Sequence, residues 1–221
     1  MTNLPRPATI FAKFLDVIFP QICPICQREA RISSLCENCA KAYIGGHRSF
    51  VGQIEYEQKT LDVFSMDVFN KEMAKIIHNL KYSSITKNAS DIFRFGLTAF
   101  YNELKTADFI TFVPLHPWRF LRRGYNQAAI LAKVAAKELD IDCKRTLFRR
   151  RYNETQTKKN SEKRRKSVIN LFAMLPKIDV CGKTIILVDD VCTTGSTIGE
   201  CSKVLLAAGA KKVILLVLAK V

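Results

Sequence analysis

The chain has 221 residues, 48% of them hydrophobic and 25% charged, enough apolar material for one globular domain plus a small appendage and incompatible with a wholly disordered chain. It carries 35 Lys and Arg against 20 Asp and Glu, a net of +15, and such a field attracts polyanions: nucleic acid, anionic lipid or phosphorylated small molecules. No run approaches the roughly 18–20 uninterrupted apolar residues that span a bilayer, and no secretory pattern stands at the start, so a cytoplasmic protein with reduced or metal-bound cysteines is expected.

Ile10 to Phe19 sets Phe11, Phe14, Leu15 and Ile18 at helical spacing around Lys13 and Asp16, a short amphipathic helix that should pack on the chain. Two C-x2-C hooks follow, Cys23-Pro24-Ile25-Cys26 and Cys36-Glu37-Asn38-Cys39, nine residues apart. Cys23, Cys26, Cys36 and Cys39 can present four thiolates to one tetrahedral ion, and zinc suits four sulfurs best. Two disulfides or four unrelated thiols are the alternatives. A closed four-thiolate site has no open coordination position, so its job would be structural. Residues 1–48 are therefore expected to form an N-terminal segment and zinc module, and residues 49–221 the main domain.

Leu61, Val63 and Val68 lie in a β-rich run, and Met73, Ile76, Ile77 and Leu80 mark one face of a helix. Asp91 to Leu104 reads as a second helix, Phe109 to Val113 as a buried strand stopped by Pro114, and Asn126 to Leu139 as a third helix. Residues 144–166 hold eleven Lys or Arg and two acids, a pattern expected of a mobile, solvated loop or hairpin. Arg149, Arg150, Arg151, Lys163, Arg164, Arg165 and Lys166 in this stretch are candidate phosphate contacts for nucleic acid, and an active-site lid is the competing reading. A strand at Thr184 to Val188, a helix from about Thr197 to Ala208, Gly209 as its stop and a strand at Val213 to Leu218 complete the order. Apolar strands separated by helices call for an α/β fold, a mainly parallel sheet covered on both faces.

The run Ile185-Ile186-Leu187-Val188-Asp189-Asp190-Val191-Cys192-Thr193-Thr194-Gly195-Ser196-Thr197 carries the sharpest chemistry. Four aliphatics build a central strand, and Asp189 and Asp190 follow at its carboxyl end, where ligands sit in open α/β sheets. Thr193, Thr194, Gly195, Ser196 and Thr197 then offer backbone N–H groups, hydroxyls and a helix start to one phosphate. Carboxylates beside a phosphate would repel it, so they are better suited to accept hydrogen bonds from vicinal hydroxyls. A P-loop is excluded, because Gly182-Lys183-Thr184 precedes the strand. A second segment, Val113-Pro114-Leu115-His116-Pro117-Trp118-Arg119-Phe120-Leu121-Arg122-Arg123-Gly124-Tyr125-Asn126-Gln127, makes another anion-facing edge after a buried strand, with Arg119 the best match for a pyrophosphate fork.

The first segment resembles the 5-phosphoribosyl-1-pyrophosphate signature of type I phosphoribosyltransferases. Together with Pro114-Leu115-His116-Pro117, Arg123-Gly124-Tyr125-Asn126-Gln127, Lys81-Tyr82 and the four cysteines, it is similar to the ComF family, over nearly the whole chain. The resemblance implies that Asp189 and Asp190 hold the ribose 2′- and 3′-hydroxyls, that Thr193 to Thr197 hold the 5′-phosphate, and that Mg²⁺ bridges pyrophosphate and ribose. It also implies a role in natural competence, with single-stranded DNA and the DNA-uptake machinery at the inner membrane as partners. Two other readings stay open: an active transferase that moves the phosphoribosyl group to a nucleobase or other acceptor, and a nucleic-acid-binding module with a relic pocket.

Overall fold

The computed structural model describes residues 22–30, 34–82, 86–150 and 171–221. After the cysteine hooks come α1 (Glu37–Ile44), the strands β1 (Phe50–Tyr56) and β2 (Lys59–Val68), and the helices α2 (Lys71–Tyr82), α3 (Lys87–Leu97) and α4 (Tyr101–Leu104). They are followed by β3 (Phe109–Phe112), α5 (Pro117–Arg123), α6 (Gln127–Leu139), β4 (Leu147–Arg149) and β5 (Phe172–Met174). The chain closes with β6 (Thr184–Cys192), α7 (Ser196–Ala207) and β7 (Lys212–Lys220).

Five strands form the main sheet in the order β1-β2-β7-β6-β3. The last four run parallel, and β1 joins the edge antiparallel. β6 and β7 are sealed from water through Ile185–Val188 and Val213–Ala219, as the near-continuous apolar runs require of strands covered on both faces. One face carries α1, α2, α3 and α6; the other carries α7 together with β4 and β5. Among the described residues no helix is long and apolar enough to cross a membrane.

The helix face Met73, Ile76, Ile77 and Leu80 is buried as its spacing predicts. The helix expected over Asp91 to Leu104 differs: it starts earlier, at Lys87, and breaks at Thr98 into a 3-10 turn before α4. Thr98 Oγ1 donates to the Phe95 carbonyl at 2.7 Å, a back-bond that competes with the helical ladder and bends it. Strand β1 has no counterpart in the sequence reading. Its hairpin turns through Glu57 and Gln58, both at positive φ (44° and 63°), without the Asn-Gly or Asp-Gly pair that usually announces such a turn.

β4, inside the basic stretch, pairs antiparallel with β5, which follows the stretch, in a separate two-stranded sheet with Leu147 and Phe172 buried. Its two strands thus make a hairpin-like pair, and residues 151–170 between them lie outside the described residues. The N-terminal helix expected at Ile10 to Phe19 lies outside them as well.

The cysteine hooks do not sit on a core of their own. Cys23, Leu35, Cys36 and Tyr43 join Met66, Phe93 and Leu97 in one buried cluster. Two carboxylates fasten the joint. Asp67 on β2 accepts from the Tyr43 hydroxyl and from Arg48 Nε at 2.9 Å, and Asp91 on α3 accepts from the backbone N–H and hydroxyl of Ser34 at 2.9 and 2.8 Å.

Candidate ligand pocket and metal centre

β6 continues past Val188, which pairs with Phe112 at the end of β3, and stays paired to β7 as far as Cys192. Asp189 and Asp190 therefore stand inside the strand but beyond the end of its neighbour. This opens a cavity of about 770 Å³ at the carboxyl edge of the sheet. Backbone hydrogen bonds aim both carboxylates: Asp190 N–H donates to Asp189 Oδ1 at 2.8 Å, and Val191 N–H to Asp190 Oδ1 at 2.9 Å. Lys81, in the last turn of α2, places Nζ 2.7 Å from Asp190 Oδ2. Burial, then the adjacent Asp190 charge, pushes the Asp189 carboxyl well above the usual carboxylate range.

The opposite wall is basic. Arg119, Arg122, Arg123 and Arg149 line the same cavity. Arg149 was grouped in the sequence with nucleic-acid contacts; here its guanidinium lies 5.5 Å from the Phe172 ring centre and faces the pocket. Arg150 is exposed, with its backbone N–H on the Leu171 carbonyl. Arg151, Lys163, Arg164, Arg165 and Lys166 fall outside the described residues.

The segment from His116 to Gln127 is braced at its two ends. His116 Nδ1 accepts from the Trp118 N–H and caps α5, while burial and the charges of Arg149 and Arg119 hold its pKa below the ordinary value. Gly124 ends the helix at φ 79°, a conformation that only glycine enters without cost. The Tyr125 hydroxyl donates to the Leu80 carbonyl at 2.6 Å. Asn126 ties α6 to β3, accepting from the Ala128 N–H and donating to the Val113 carbonyl, both at 3.0 Å. Arg123 donates to Gln127 Oε1 at 3.3 Å and to the Tyr82 hydroxyl at 3.2 Å.

Thr193 to Thr197 wrap the start of α7, with Thr194 and Ser196 hydroxyls 2.8 Å apart. Of these five residues, only Thr197 lines the cavity. Gly195 sits at φ 72°, and a Cβ there would lie 2.6 Å from Ile54 on β1. One turn on, a Cβ at Gly199 would lie 2.5 Å from the Tyr56 ring. The two glycines let the β1–β2 hairpin press directly on α7, which holds the helix start against the sheet edge. Cys192 within this segment is buried, and burial pushes its thiol up to about 11, which disfavours the thiolate that a nucleophile needs.

Lys81 and Tyr82 carry part of the family resemblance in the sequence, but nothing in the local pattern gives them a role in the site, whose cavity they line. A lysine at the end of an amphipathic helix looks like any solvated lysine, and only the packing of α2 brings it to Asp190.

In the second centre the Sγ atoms of Cys23, Cys26, Cys36 and Cys39 all lie within 4.8 Å of one another. A tetrahedral ion with metal–sulfur bonds of about 2.3 Å needs sulfurs about 3.8 Å apart, so the donor set fits such an ion. A backbone hydrogen bond from Cys39 lowers the Cys36 thiol to about 7 even against burial, while burial and its sulfur neighbours push the Cys39 thiol up; four clustered sulfurs resist losing their protons together unless a cation sits among them. No other group of three or more His, Cys, Asp or Glu among the described residues could hold an ion.

The phosphoribosyl transferase domain family matches residues 121–221. With the parallel sheet and the acid pair leading into α7, that match defines a type I phosphoribosyltransferase-like domain carrying a small four-cysteine module. DNA utilization protein YhgH of Salmonella typhi is 30% identical over 201 residues, 87% of each protein. Competence protein ComFC of Streptococcus pneumoniae is 29% identical over 86% of this chain and 77% of that one, and Competence protein F of Haemophilus influenzae is 36% identical over 51% and 50%. The chain belongs to the ComF family. Among solved structures, purine phosphoribosyltransferase from Pyrococcus horikoshii overlaps 60% of this chain and 74% of its own at 22% identity and a TM-score of 0.37.

Proposed function

We propose that the pocket binds 5-phosphoribosyl-1-pyrophosphate with Mg²⁺, and that the protein uses this site while handling single-stranded DNA during DNA uptake. The observation that carries the reading is the meeting of an Asp pair with five basic side chains, Lys81, Arg119, Arg122, Arg123 and Arg149, around one small cavity. A diol with phosphates at both ends matches that division of charge. Asp189 and Asp190 take the ribose hydroxyls, Thr193, Thr194, Gly195, Ser196 and Thr197 the 5′-phosphate, and Arg119 the pyrophosphate fork. Asp189 and Asp190, with ligand phosphates, would hold Mg²⁺, an ion usually bound by one or two carboxylates plus phosphates, and the ion would neutralise part of the ligand's negative charge. Cys23, Cys26, Cys36 and Cys39 hold a structural zinc.

The names of the relatives, DNA utilization and competence proteins, support the DNA role, and the net charge of +15 suits a polyanionic partner. Calorimetry of 5-phosphoribosyl-1-pyrophosphate, with and without Mg²⁺, tests the pocket. Binding strengthened by Mg²⁺ is expected; no heat in either buffer overturns the reading. Release of pyrophosphate on adding a nucleobase would assign the protein to phosphoribosyl transfer in nucleotide metabolism instead.

A further inference from the structure

Helix α5 contradicts ordinary packing. None of its seven residues is buried, yet three are large apolar groups facing water: Trp118 is 63% exposed, Phe120 48% and Leu121 75%. Such side chains occur singly on most surfaces, whereas a cluster on one element marks an interaction site. At about 100° per residue, Phe120, Leu121 and Trp118 occupy one arc of the helix, and Arg122, Arg119 and Arg123 the adjoining arc. The three arginines and Trp118 line the pocket, while Phe120 and Leu121 do not. The basic arc thus lies along the pocket, the apolar arc turns away from it, and Trp118 stands at the seam. Tyr82, 60% exposed, extends the seam, with the Arg123 guanidinium 4.9 Å from its ring centre. From Val113 to Gln127 there is no Asp or Glu.

We propose that this surface is the single-stranded DNA track, with bases stacked on Trp118 and Phe120 and phosphates led along the arginine arc at the pocket rim. The proposal rests on the DNA reading above and gives it a place. Single-stranded DNA carries both matching parts, exposed π-faces and one phosphate per nucleotide. A duplex hides its base faces. A lipid surface would want the basic residues beside the apolar face, meeting headgroups in one plane with it, and here the arginine arc lies along the pocket rim, on the side of the helix away from Phe120 and Leu121.

Trp118 is the one tryptophan in the chain, so tryptophan emission, excited beyond the tyrosine band, reports on this surface alone. Full-length protein is titrated with oligothymidylate in the absence of 5-phosphoribosyl-1-pyrophosphate, following tryptophan emission, and in parallel with end-labelled oligonucleotide, following anisotropy. Expected are quenching and anisotropy with one midpoint, weak quenching by an abasic oligomer of equal length, and a fivefold to hundredfold (approximately) loss of affinity for each of Trp118→Ala and Phe120→Ala. A rise in anisotropy with unchanged emission and unaffected variants overturns the placement and leaves the DNA reading standing. No anisotropy change even at low salt overturns the DNA reading and the placement with it. A blue shift on vesicles of anionic phospholipid, with no response to oligonucleotide, would reassign the surface to a membrane.

Discussion

Lys81 Nζ lies 2.7 Å from Asp190 Oδ2, while its neighbour Tyr82 accepts a hydrogen bond from Arg123 at 3.2 Å. The end of α2 therefore touches both sides of the pocket. Its cation compensates one carboxylate, and its ring braces the arginine-bearing helix. Asp189 remains the strained member of the pair, raised by burial and by the charge of Asp190. Two adjacent carboxylates in a walled site resist carrying two charges at once. A bound ligand that brings Mg²⁺ relieves that resistance.

Asp189→Asn should therefore stabilise the protein at neutral pH while weakening 5-phosphoribosyl-1-pyrophosphate binding at least tenfold (approximately). A carboxyl raised on folding holds its proton more tightly in the folded state, so folding loses stability as pH climbs from about 4 through the folded value. The variant escapes that loss. Its melting temperature should exceed that of the parent by a margin that widens from pH 5 to pH 8 (approximate bounds), about 2–4 °C per kcal/mol relieved. Thermal melts across pH check the sign, and calorimetry in buffers of different ionisation heat should show proton release when the parent binds ligand.

Lys81→Met separates the two duties of that lysine. Losing a cation from a phosphate-facing wall should weaken 5-phosphoribosyl-1-pyrophosphate binding in Mg²⁺-free buffer roughly tenfold or more. Freed of its ion pair, Asp190 should accept Mg²⁺ more readily, so Mg²⁺ should restore more binding to the variant than it adds to the parent. Equal Mg²⁺ enhancement in both proteins would show that Lys81 does not compete for Asp190.

Elemental analysis should find one zinc per chain, and Cys36→Ser should lower that content. Because the cysteines share their buried cluster with Met66, Phe93 and Leu97, metal loss should lower the melting temperature of the whole chain in a single transition. A separate early transition would mean that the module unfolds alone.

Asp67 tests the joint from the other side. It is buried and accepts from Tyr43 and Arg48. Asp67→Ala leaves a partly buried guanidinium without its partner and should cost about 3 kcal/mol, the low end for breaking such a pair because Arg48 retains some solvent contact. Tyr43→Phe removes one hydrogen bond and should cost about 1–2 kcal/mol. Urea unfolding measures both, with zinc content expected to stay the same.

Local patterns in the chain already contained the strand-to-helix run around Asp189 and Asp190, the two cysteine hooks and the buried face of α2. Each depends on spacing over a dozen residues or fewer, which backbone geometry converts directly into a face, a turn or a ligand set. The fold class follows from the same patterns, since apolar strands alternating with helices have few ways to cover a parallel sheet. Strand β1 escaped because Glu57 and Gln58 turn the hairpin without the usual signal, and tertiary packing on α7 holds the turn where propensity alone would not. Only the tertiary structure decided that Lys81, Arg119 and Arg149 line one cavity with the acid pair, that Gly195 is pressed by Ile54, and that α5 leaves Trp118 and Leu121 in water. Those relations join segments far apart in the chain. They exist because β3 ends where β6 runs on, and which strands neighbour each other is settled by burial across the whole sheet, a quantity no local window contains.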